Sequence, residues 1–380
     1  MSQAPIGGWC DPRFAPLRSE FEANFRERGE LGAAVSVTLN GIVVADLWGG
    51  WIDARRTRPW TQDTLVNVFS VGKGLLAVCL ASLAGRGVVD PDAQVIRYWP
   101  EFGAAGKDTI TVRQVLSHQA GLPAIRQPLP PGSGLDWQRM TSLLAAEEPW
   151  WQPGAGHGYH VNTFGYLGGE LIRRTTGMSV GEFLRRDVAG PLGADVHIGL
   201  AAAEHSRVAE FHWPDRAHAT AATRSDSVPN KEMALNAYFN PPDFSGMGVV
   251  NTPAWRSAQI PSANAHATAA GIARIYTALA AGGAGVVAGG ALADATREQV
   301  YGKDLVLERP SRFGLGFQLT HPERQLGNGA RCFGHFGAGG SVGFCDPDAR
   351  LAVGYVTNQM GPRWRNPRNK AVMDACYAFL

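Results

Sequence analysis

The two ends of the chain carry apolar runs that are typical of β-strands. Residues 33–39 (AAVSVTL) and 42–48 (IVVADLW) are two such runs, and Asn40-Gly41 between them is a strong signal for a hairpin turn. Near the other end, residues 341–346 and 351–357 predict a second pair of strands. Because strands stand at both ends, we expect one antiparallel sheet assembled from both.

The segment between these ends has the periodicity of helices separated by loops rich in Gly and Pro. The helices predicted most clearly cover residues 70–86, 111–117, 162–176 and 179–188, and further helices are predicted at 11–29, 266–280 and 366–379. The sequence therefore predicts an α+β fold, an antiparallel sheet flanked by helices plus a mostly helical lobe. We place an α/β domain in residues 1–69 and 236–380, and a mostly helical domain with lid loops in 70–235, with a cleft where they meet.

The composition argues against several classes of protein. Apolar residues make up 45% of the 380 residues and charged residues 18%, which is typical of a folded enzyme. The net charge is +2 and no basic run is interleaved with aromatic residues, so we expect no nucleic-acid partner. The sequence shows no signal-peptide pattern and no run of 18 apolar residues, which leads us to expect a cytoplasmic protein without a membrane partner.

The five cysteines and ten histidines do not form a recognisable metal site. The cysteine count is odd and contains no C-x-x-C pair, so free thiols are expected rather than a disulfide framework or a zinc ribbon. The histidines include no H-E-x-x-H motif. We therefore predict neither a metal nor another cofactor.

Ser70, at the start of the predicted helix 70–86, is the candidate nucleophile. Lys73 is three positions later, so both side chains lie on one face of the helix. Lys73 is the only charged residue between Asp63 and Arg86, and the helix is apolar on every side, which predicts that Lys73 is buried. Burial lowers the pKa of a lysine and makes its amine a usable base. The alternative is that Ser70 caps the helix and Lys73 reaches solvent.

Four segments occur in the order and spacing of a known family. They are residues 65–73 (LVNVFSVGK), 111–122 (TVRQVLSHQAGL), 153–159 (PGAGHGY) and 334–341 (GHFGAGGS). Over almost its whole length the chain resembles the serine β-lactamase and DD-peptidase superfamily. Within that superfamily it is most similar to the class C β-lactamase-like esterases, the family VIII carboxylesterases. The resemblance implies the β-lactamase/DD-peptidase-like fold.

The resemblance also implies a proton-transfer partner for Ser70 and Lys73. The family has a Tyr-x-Asn element whose tyrosine shares protons with the Ser-x-x-Lys pair, and its counterpart here is Tyr159-His160-Val161. Tyr159 is thus the third implied catalytic residue, and the alternative is an aromatic side chain that only lines the cleft. The asparagine of the element is replaced, with Asn162 one position later.

The third family element, Lys-Thr-Gly on an inner strand, corresponds to His335-Phe336-Gly337. These three residues are implied to bind substrate, and the N–H groups of Ser70 and Ala338 are implied to form the oxyanion hole. A histidine that is mostly neutral holds a carboxylate poorly, so esters are expected in preference to penicillins and peptides. Packing in the cleft wall is the alternative role of His335. Aromatic residues in the predicted lid, Trp151 among them, suggest an apolar pocket.

Ser341 is a competing nucleophile, because residues 339–343 match the G-x-S-x-G pattern of α/β-hydrolases. That pattern needs a strand before the serine and a helix after it, whereas a strand-like run follows Ser341. No histidine follows Ser341 in the chain, so a triad in the order Ser-Asp-His cannot be completed.

The sequence thus predicts a serine hydrolase that cleaves small-molecule carboxylic esters, of short acyl chain, through an acyl-enzyme on Ser70. The choice of Lys73 or Tyr159 as the base stays open, as does the oligomeric state. Alternative functions are a β-lactamase or D-amino-acid peptidase, an acyltransferase of the same fold, and a non-catalytic β-lactamase-like protein.

Overall fold

The computed structural model describes residues 4–214, 231–244, 246–378 and 380. Its strands are β1 Ile6–Cys10, β2 Gly32–Leu39, β3 Ile42–Gly50, β4 Val66–Phe69, β5 Val196–His197, β6 Ala265–Ala267, β7 Val300–Lys303, β8 Pro310–Phe313, β9 Gln318–Leu319, β10 Phe333–Phe336, β11 Val342–Asp346 and β12 Leu351–Thr357.

The helices lie mostly between the two groups of strands. They are α1 Ala15–Glu27, α2 Val71–Gly85, α3 Val112–Leu116, α4 Trp137–Ala146, α5 Thr163–Thr176, α6 Val180–Phe183, α7 Lys231–Phe239, α8 Pro253–Ser257, α9 Ala269–Ala280, α10 Gly289–Thr296 and α11 Pro367–Ala375. A π-helical turn, Leu184–Ala189, continues α6. Within the described ranges, no helix is both long and apolar enough to cross a membrane.

The main sheet is built from both ends of the chain, as the sequence predicts. Its nine strands follow the order β1-β3-β2-β12-β11-β10-β9-β8-β7, and β2 pairs antiparallel with β12. A second, three-stranded sheet has the order β4-β6-β5. The domain boundaries at 69/70 and 235/236 stay a prediction.

Helices cover both faces of the main sheet. On one face, α1 and α11 bury apolar side chains such as Phe21 and Val372 against β2, β11 and β12. On the other face, α9 packs against β2, β11 and β12, and α2 packs against β10 and α10. Every side chain of α2 from Val71 to Leu83 is buried, which accounts for its apolar sequence.

Local signals explain which predictions hold. Asn40 and Gly41 have φ angles of 52° and 80°, the left-handed pair that a type I′ hairpin turn requires. The predicted helix 266–280 is wrong at its start, because residues 265–267 form β6. The Thr268 side chain accepts a hydrogen bond from Gly271 N at 3.0 Å, so the helix begins only at Ala269.

Candidate active site

Ser70 lies at a tight junction where β4 ends and α2 begins. Phe69, the residue before it, has a φ of 47°, a left-handed conformation that is costly for a residue with a bulky side chain. The Phe69 ring packs edge-on against Phe211, with centroids 4.8 Å apart, which helps to hold this strained turn. Ser70 is 9% exposed. Its hydroxyl makes no helix-capping hydrogen bond and is therefore not engaged in a structural role at the helix start.

Lys73 is directed at the hydroxyl of Ser70. Its Nζ lies 2.9 Å from Ser70 Oγ and 3.1 Å from the carbonyl oxygen of Ser262. The Ser70 hydroxyl also lies 3.3 Å from that carbonyl oxygen. Lys73 is 0% exposed, and burial lowers its pKa well below the usual value. The alternative in which Lys73 reaches solvent is wrong.

Tyr159 completes this cluster from the other side. Its ring lies beneath Lys73 Nζ, 4.8 Å from nitrogen to centroid, and stacks on Phe313 and His335 at 5.9 and 6.0 Å between centroids. The phenol oxygen is buried and makes no hydrogen bond within the described part of the chain. Burial raises the pKa of Tyr159 well above its usual value, an effect that interaction with Ser70 offsets in part. The phenol is therefore protonated at neutral pH.

The strand that carries His335 runs close to the Ser70 turn. A Cβ added to Gly337 would lie 2.2 Å from the carbonyl oxygen of Val68, so only glycine permits this approach. The N–H groups of Ser70 and Ala338 donate no hydrogen bond to any described residue. Two free N–H groups on adjacent backbone segments, next to a serine hydroxyl, are what an oxyanion hole requires. The assignment of this role to Ser70 and Ala338 stays a prediction.

The N-cap residue of α11, Asn366, and two side chains of the helix itself fix the loop that contains Ala338. Asn366 Nδ2 and Arg368 Nη2 donate to the carbonyl oxygen of Gly339 at 3.0 and 3.2 Å. Asn369 Nδ2 donates to Gly340 O at 2.8 Å. These hydrogen bonds orient the loop backbone, and they join residues that lie about thirty positions apart in the sequence.

His335 is fully buried and stacks on the ring of Tyr159. Its Nδ1 donates to the carbonyl oxygen of Phe336 at 2.6 Å, which leaves Nε2 as an acceptor without a partner in the described chain. Burial and, secondarily, the charge of Lys73 lower the pKa of His335 well below its usual value. The imidazole is therefore neutral and supplies no positive charge for a carboxylate.

The other predicted substrate-binding side chains, Phe336 and Trp151, lie outside the cluster formed by Ser70, Lys73, Tyr159 and His335. Successive side chains of a strand point to opposite faces, so Phe336 packs in the core beneath α1 and α11, and only its backbone is available to the cleft. Its side chain is thus not a substrate contact, which corrects the prediction. Trp151 is half-buried against Gly158 and His160, beside the Tyr159 segment. Asn162 donates to Ala237 O at 3.0 Å, which ties α5 to α7 rather than to Lys73.

Ser341 has no geometry for nucleophilic attack. It is fully buried and follows a 3-10 turn, and its hydroxyl oxygen accepts a hydrogen bond from Thr357 N at 3.3 Å. The strand β11 begins at the next residue.

Two parts of the site carry no sequence signal. The carbonyl oxygen of Ser262 is a backbone atom, which any residue type supplies equally. Asp304, whose carboxylate binds the Tyr159 backbone, stands in a loop without a motif. Tertiary contacts alone reveal both.

The fold and this site define the class of protein. A family model described as Beta-lactamase matches residues 20–377, and the chain belongs to that family. It is 36% identical over 364 residues to Esterase/beta-lactamase LipL of Mycobacterium tuberculosis (strain ATCC 25618 / H37Rv), a match that covers 93% of this chain and 83% of the relative. It is also 28% identical over 212 residues to Esterase EstB of Burkholderia gladioli, covering 51% of this chain and 53% of that protein.

Two solved structures are similar to this chain over almost its whole length. The crystal structure of a family VIII carboxylesterase superposes with a TM-score of 0.91 at 39% identity, covering 99% of this chain and 100% of that one. A penicillin-binding protein homologue from Caulobacter crescentus superposes with a TM-score of 0.89, also at 39% identity, with the same coverage. The predicted fold, the resemblance to family VIII carboxylesterases and the assignment to carboxylesterase-type hydrolases are confirmed.

Proposed function

We propose that the protein hydrolyses carboxylic esters of short acyl chain through an acyl-enzyme on Ser70. The observation that carries the proposal is the 2.9 Å hydrogen bond between Lys73 Nζ and Ser70 Oγ, made by a lysine that is fully buried. Ser70 Oγ attacks the ester carbonyl carbon while its proton passes to Lys73. The bond to the alcohol then breaks, and the alcohol leaves with a proton that Lys73 gives up by way of Tyr159, so that the amine is neutral again. Water attacks the acyl carbon and gives a proton to Lys73, and this proton passes to Ser70 Oγ as the acyl–oxygen bond breaks and the acid is released.

Lys73 is the better base of the two candidates in the resting enzyme. Burial favours the neutral amine of Lys73, and it favours the protonated phenol of Tyr159. The neutral amine accepts the proton of Ser70, and the Tyr159 hydroxyl is suited to deliver a proton to the leaving alcohol. The two groups share protons through Ser70, so the titrations that activity reports belong to the pair.

The substrate class follows from charge and space. The carbonyl oxygen gains negative charge during attack, which the free N–H groups of Ser70 and Ala338 stabilise, each by about 3–4 kcal/mol. His335 is neutral, so an uncharged ester can bind beside it without leaving a positive charge unpaired. Ser70 is 9% exposed and its neighbours are fully buried, so a small acyl group fits the cleft best.

A fluorophosphonate probe tests the nucleophile. We expect one adduct per chain on the peptide that contains Ser70, and none in the variant Ser70→Ala. The matched control is Ser341→Ala, which retains labelling and hydrolysis of 4-nitrophenyl acetate. Labelling of Ser341, or hydrolysis that survives Ser70→Ala, would refute the proposal.

Lactam hydrolysis is the second candidate function, because the relative LipL is named both an esterase and a beta-lactamase. The neutral His335 argues against efficient binding of a penicillin carboxylate at that position. We therefore expect turnover of nitrocefin to be far slower than that of 4-nitrophenyl acetate. Comparable kcat/KM values for the two substrates would favour the lactamase.

A further inference from the structure

A groove rich in arginine, which Trp364 also lines, lies between α1, α11, the start of β8 and the segment that follows β9. Its volume is about 910 Å³. We call it the arginine groove, and its basic residues are Arg28, Arg309, Arg324, Arg363, Arg365 and Lys370. Three acidic residues, Glu20, Glu323 and Asp374, also line it, so its net charge is +3.

The acidic residues leave several of the arginines free. Glu20 is paired with Arg28 at 2.6 Å, Asp374 is paired with Lys370, and Glu323 accepts a hydrogen bond from His321 at 2.8 Å. Three arginines of the groove, Arg309, Arg324 and Arg363, have guanidinium groups that form no ion pair and no side-chain hydrogen bond with any described residue. Their charges are therefore available to a ligand.

Arg324 is the most informative of these side chains. It is only 8% exposed, and a buried guanidinium without a hydrogen-bonded partner is costly. Burial lowers the pKa of Arg324 to about 10, an effect to which neighbouring Arg309 adds. Such a side chain is stabilised when an anion enters the groove and accepts its N–H groups.

Trp364 connects the arginine groove to the catalytic cluster. Its ring lies 4.8 Å from the Arg324 guanidinium carbon and 5.2 Å from that of Arg309, measured to the ring centroid. The same ring packs edge-on against Tyr159, with 5.2 Å between centroids. The charge of Arg324 also acts on Tyr159 and His335, which places it within electrostatic range of the reaction.

We infer that the arginine groove binds a carboxylate of the substrate, so that the preferred substrates are esters with an acidic group several bonds away from the scissile carbonyl. The Trp364 ring contacts Tyr159 as well as Arg309 and Arg324, so a substrate chain must pass this ring to bring its acidic group to the arginines. The inference rests on the proposed ester hydrolysis at Ser70. The substrate carboxylate is thus bound by the arginine groove and not by His335, which is neutral.

Matched pairs of esters test this inference and distinguish the side of the ester that carries the acid. In one arm, the 4-nitrophenyl monoester of adipic acid is compared with the ester of the terminal amide, adipamic acid. In the other arm, the acetate ester of 6-hydroxyhexanoic acid is compared with that of its amide. We expect kcat/KM to favour the acid over the amide at least tenfold in one arm at low salt, and the ratio to fall as salt rises.

Variants assign the effect to the groove. Arg324→Gln, Arg309→Gln and Arg363→Gln are each expected to lower the acid-to-amide ratio at least threefold. Arg309 and Arg363 are exposed, so two of the three changes are safe for folding. The matched control is Arg331→Gln, which removes an equal charge from an exposed arginine that is paired with Asp348 and lies outside the groove.

The outcomes separate the inference from the proposed function. A ratio near one in both arms, or a ratio that none of the three groove variants lowers, overturns the inference, while hydrolysis of the amide esters that depends on Ser70 keeps the proposed function intact. Absence of hydrolysis of every ester in the series refutes the proposed function, and the inference with it.

Discussion

The carboxylate of Asp304 binds the backbone N–H of Tyr159 with both oxygens, at 3.0 and 3.1 Å. Asp304 is fully buried, and the same carboxylate accepts from Val306 N, Leu307 N and Ser311 Oγ at 2.8–2.9 Å. A charge that is satisfied almost entirely by backbone N–H groups is rigidly placed. Asp304 therefore fixes the position of the Tyr159 backbone, and with it the position of the Tyr159 ring relative to Ser70.

The variant Asp304→Asn tests this positioning role. The amide group brings two donors where the carboxylate only accepted, so at least one buried N–H loses its partner, which destabilises the fold by about 1–3 kcal/mol. We expect kcat for 4-nitrophenyl acetate to fall by about tenfold or more with a small change in KM, because Tyr159 is displaced. Kinetics at a temperature where circular dichroism shows a folded variant provide the measurement.

Combination with Tyr159→Phe shows whether Asp304 acts through Tyr159. Loss of the phenol alone is expected to lower kcat by about 100- to 10,000-fold, the usual range for a proton-transfer group. If Asp304 acts through Tyr159, the double variant is no slower than Tyr159→Phe. Additive losses in the double variant would assign Asp304 to general stability only.

The buried amine of Lys73 makes the stability of the protein depend on pH. In the unfolded chain Lys73 holds its proton up to about pH 10.5, whereas burial lowers the native pKa well below that value. Between these two pKa values folding releases a proton, so the unfolded state binds more protons and stability rises with pH. Lys73→Met removes this penalty, and we expect an inactive protein that is more stable than the native one at pH 7.

Urea unfolding at several pH values measures this effect. The stability advantage of Lys73→Met is expected to shrink by about 1.4 kcal/mol for each pH unit between the native pKa of Lys73 and pH 10.5. Groups that do not interact with Lys73 titrate equally in both proteins and cancel in the difference, and the comparison is made at pH 7 and above, where the buried His118 and His335 are neutral. An advantage that does not vary with pH would mean that Lys73 stays protonated in the native state, and Lys73 would then not be the base.

Patterns within a few residues of each other could be predicted from the sequence. The hairpin at Asn40-Gly41, the strand Leu351–Thr357 and the apolar helix around Lys73 each have a local signal, and the structure contains all three. The edge strands β1 and β7 are half-exposed, the inner strand β9 is only two residues long, and all three lack such a signal.

Site geometry needed tertiary contacts. Ser70 and Lys73 share a helix, so their contact follows from spacing. Asp304 meets Tyr159, and Arg324 meets Trp364, only after the chain has folded, and neither residue belongs to a motif. The sequence pattern also could not reveal that the side chain of Phe336 faces the core, because that depends on the register of β10 with β11.

Gly337 sets the distance between the Ser70 turn and the strand that supplies the Ala338 N–H. In Gly337→Ala the new methyl would lie 2.2 Å from Val68 O, so the two segments must separate. We expect kcat to fall by about 100- to 1,000-fold, the usual effect of losing an oxyanion donor. The matched control is Gly290→Ala, where no atom lies within 4 Å of the added carbon. Full activity in Gly337→Ala would exclude Ala338 N from the oxyanion hole.

A buried ion pair between Arg368 and Glu30 supports the loop that contains Ala338 and Gly339. Arg368 Nη1 lies 2.7 Å from Glu30 Oε1, and the two side chains are 5% and 0% exposed. Arg368→Met leaves the carboxylate of Glu30 buried without its cation and removes a donor to Gly339 O. We expect the free energy of unfolding to fall by about 3–5 kcal/mol and kcat to fall with it.

Two comparisons make this last prediction specific. Arg331 forms an exposed ion pair with Asp348. The variant Arg331→Met is expected to change the free energy of unfolding by less than about 1 kcal/mol. The double variant Glu30→Leu with Arg368→Met removes both charges and should recover part of the stability, since no unpaired charge stays buried. It should not recover the activity, since the Gly339 carbonyl keeps only the Asn366 donor and still lacks that of Arg368. Recovery of both would mean that Arg368 acts on folding alone and not on the loop that holds Ala338.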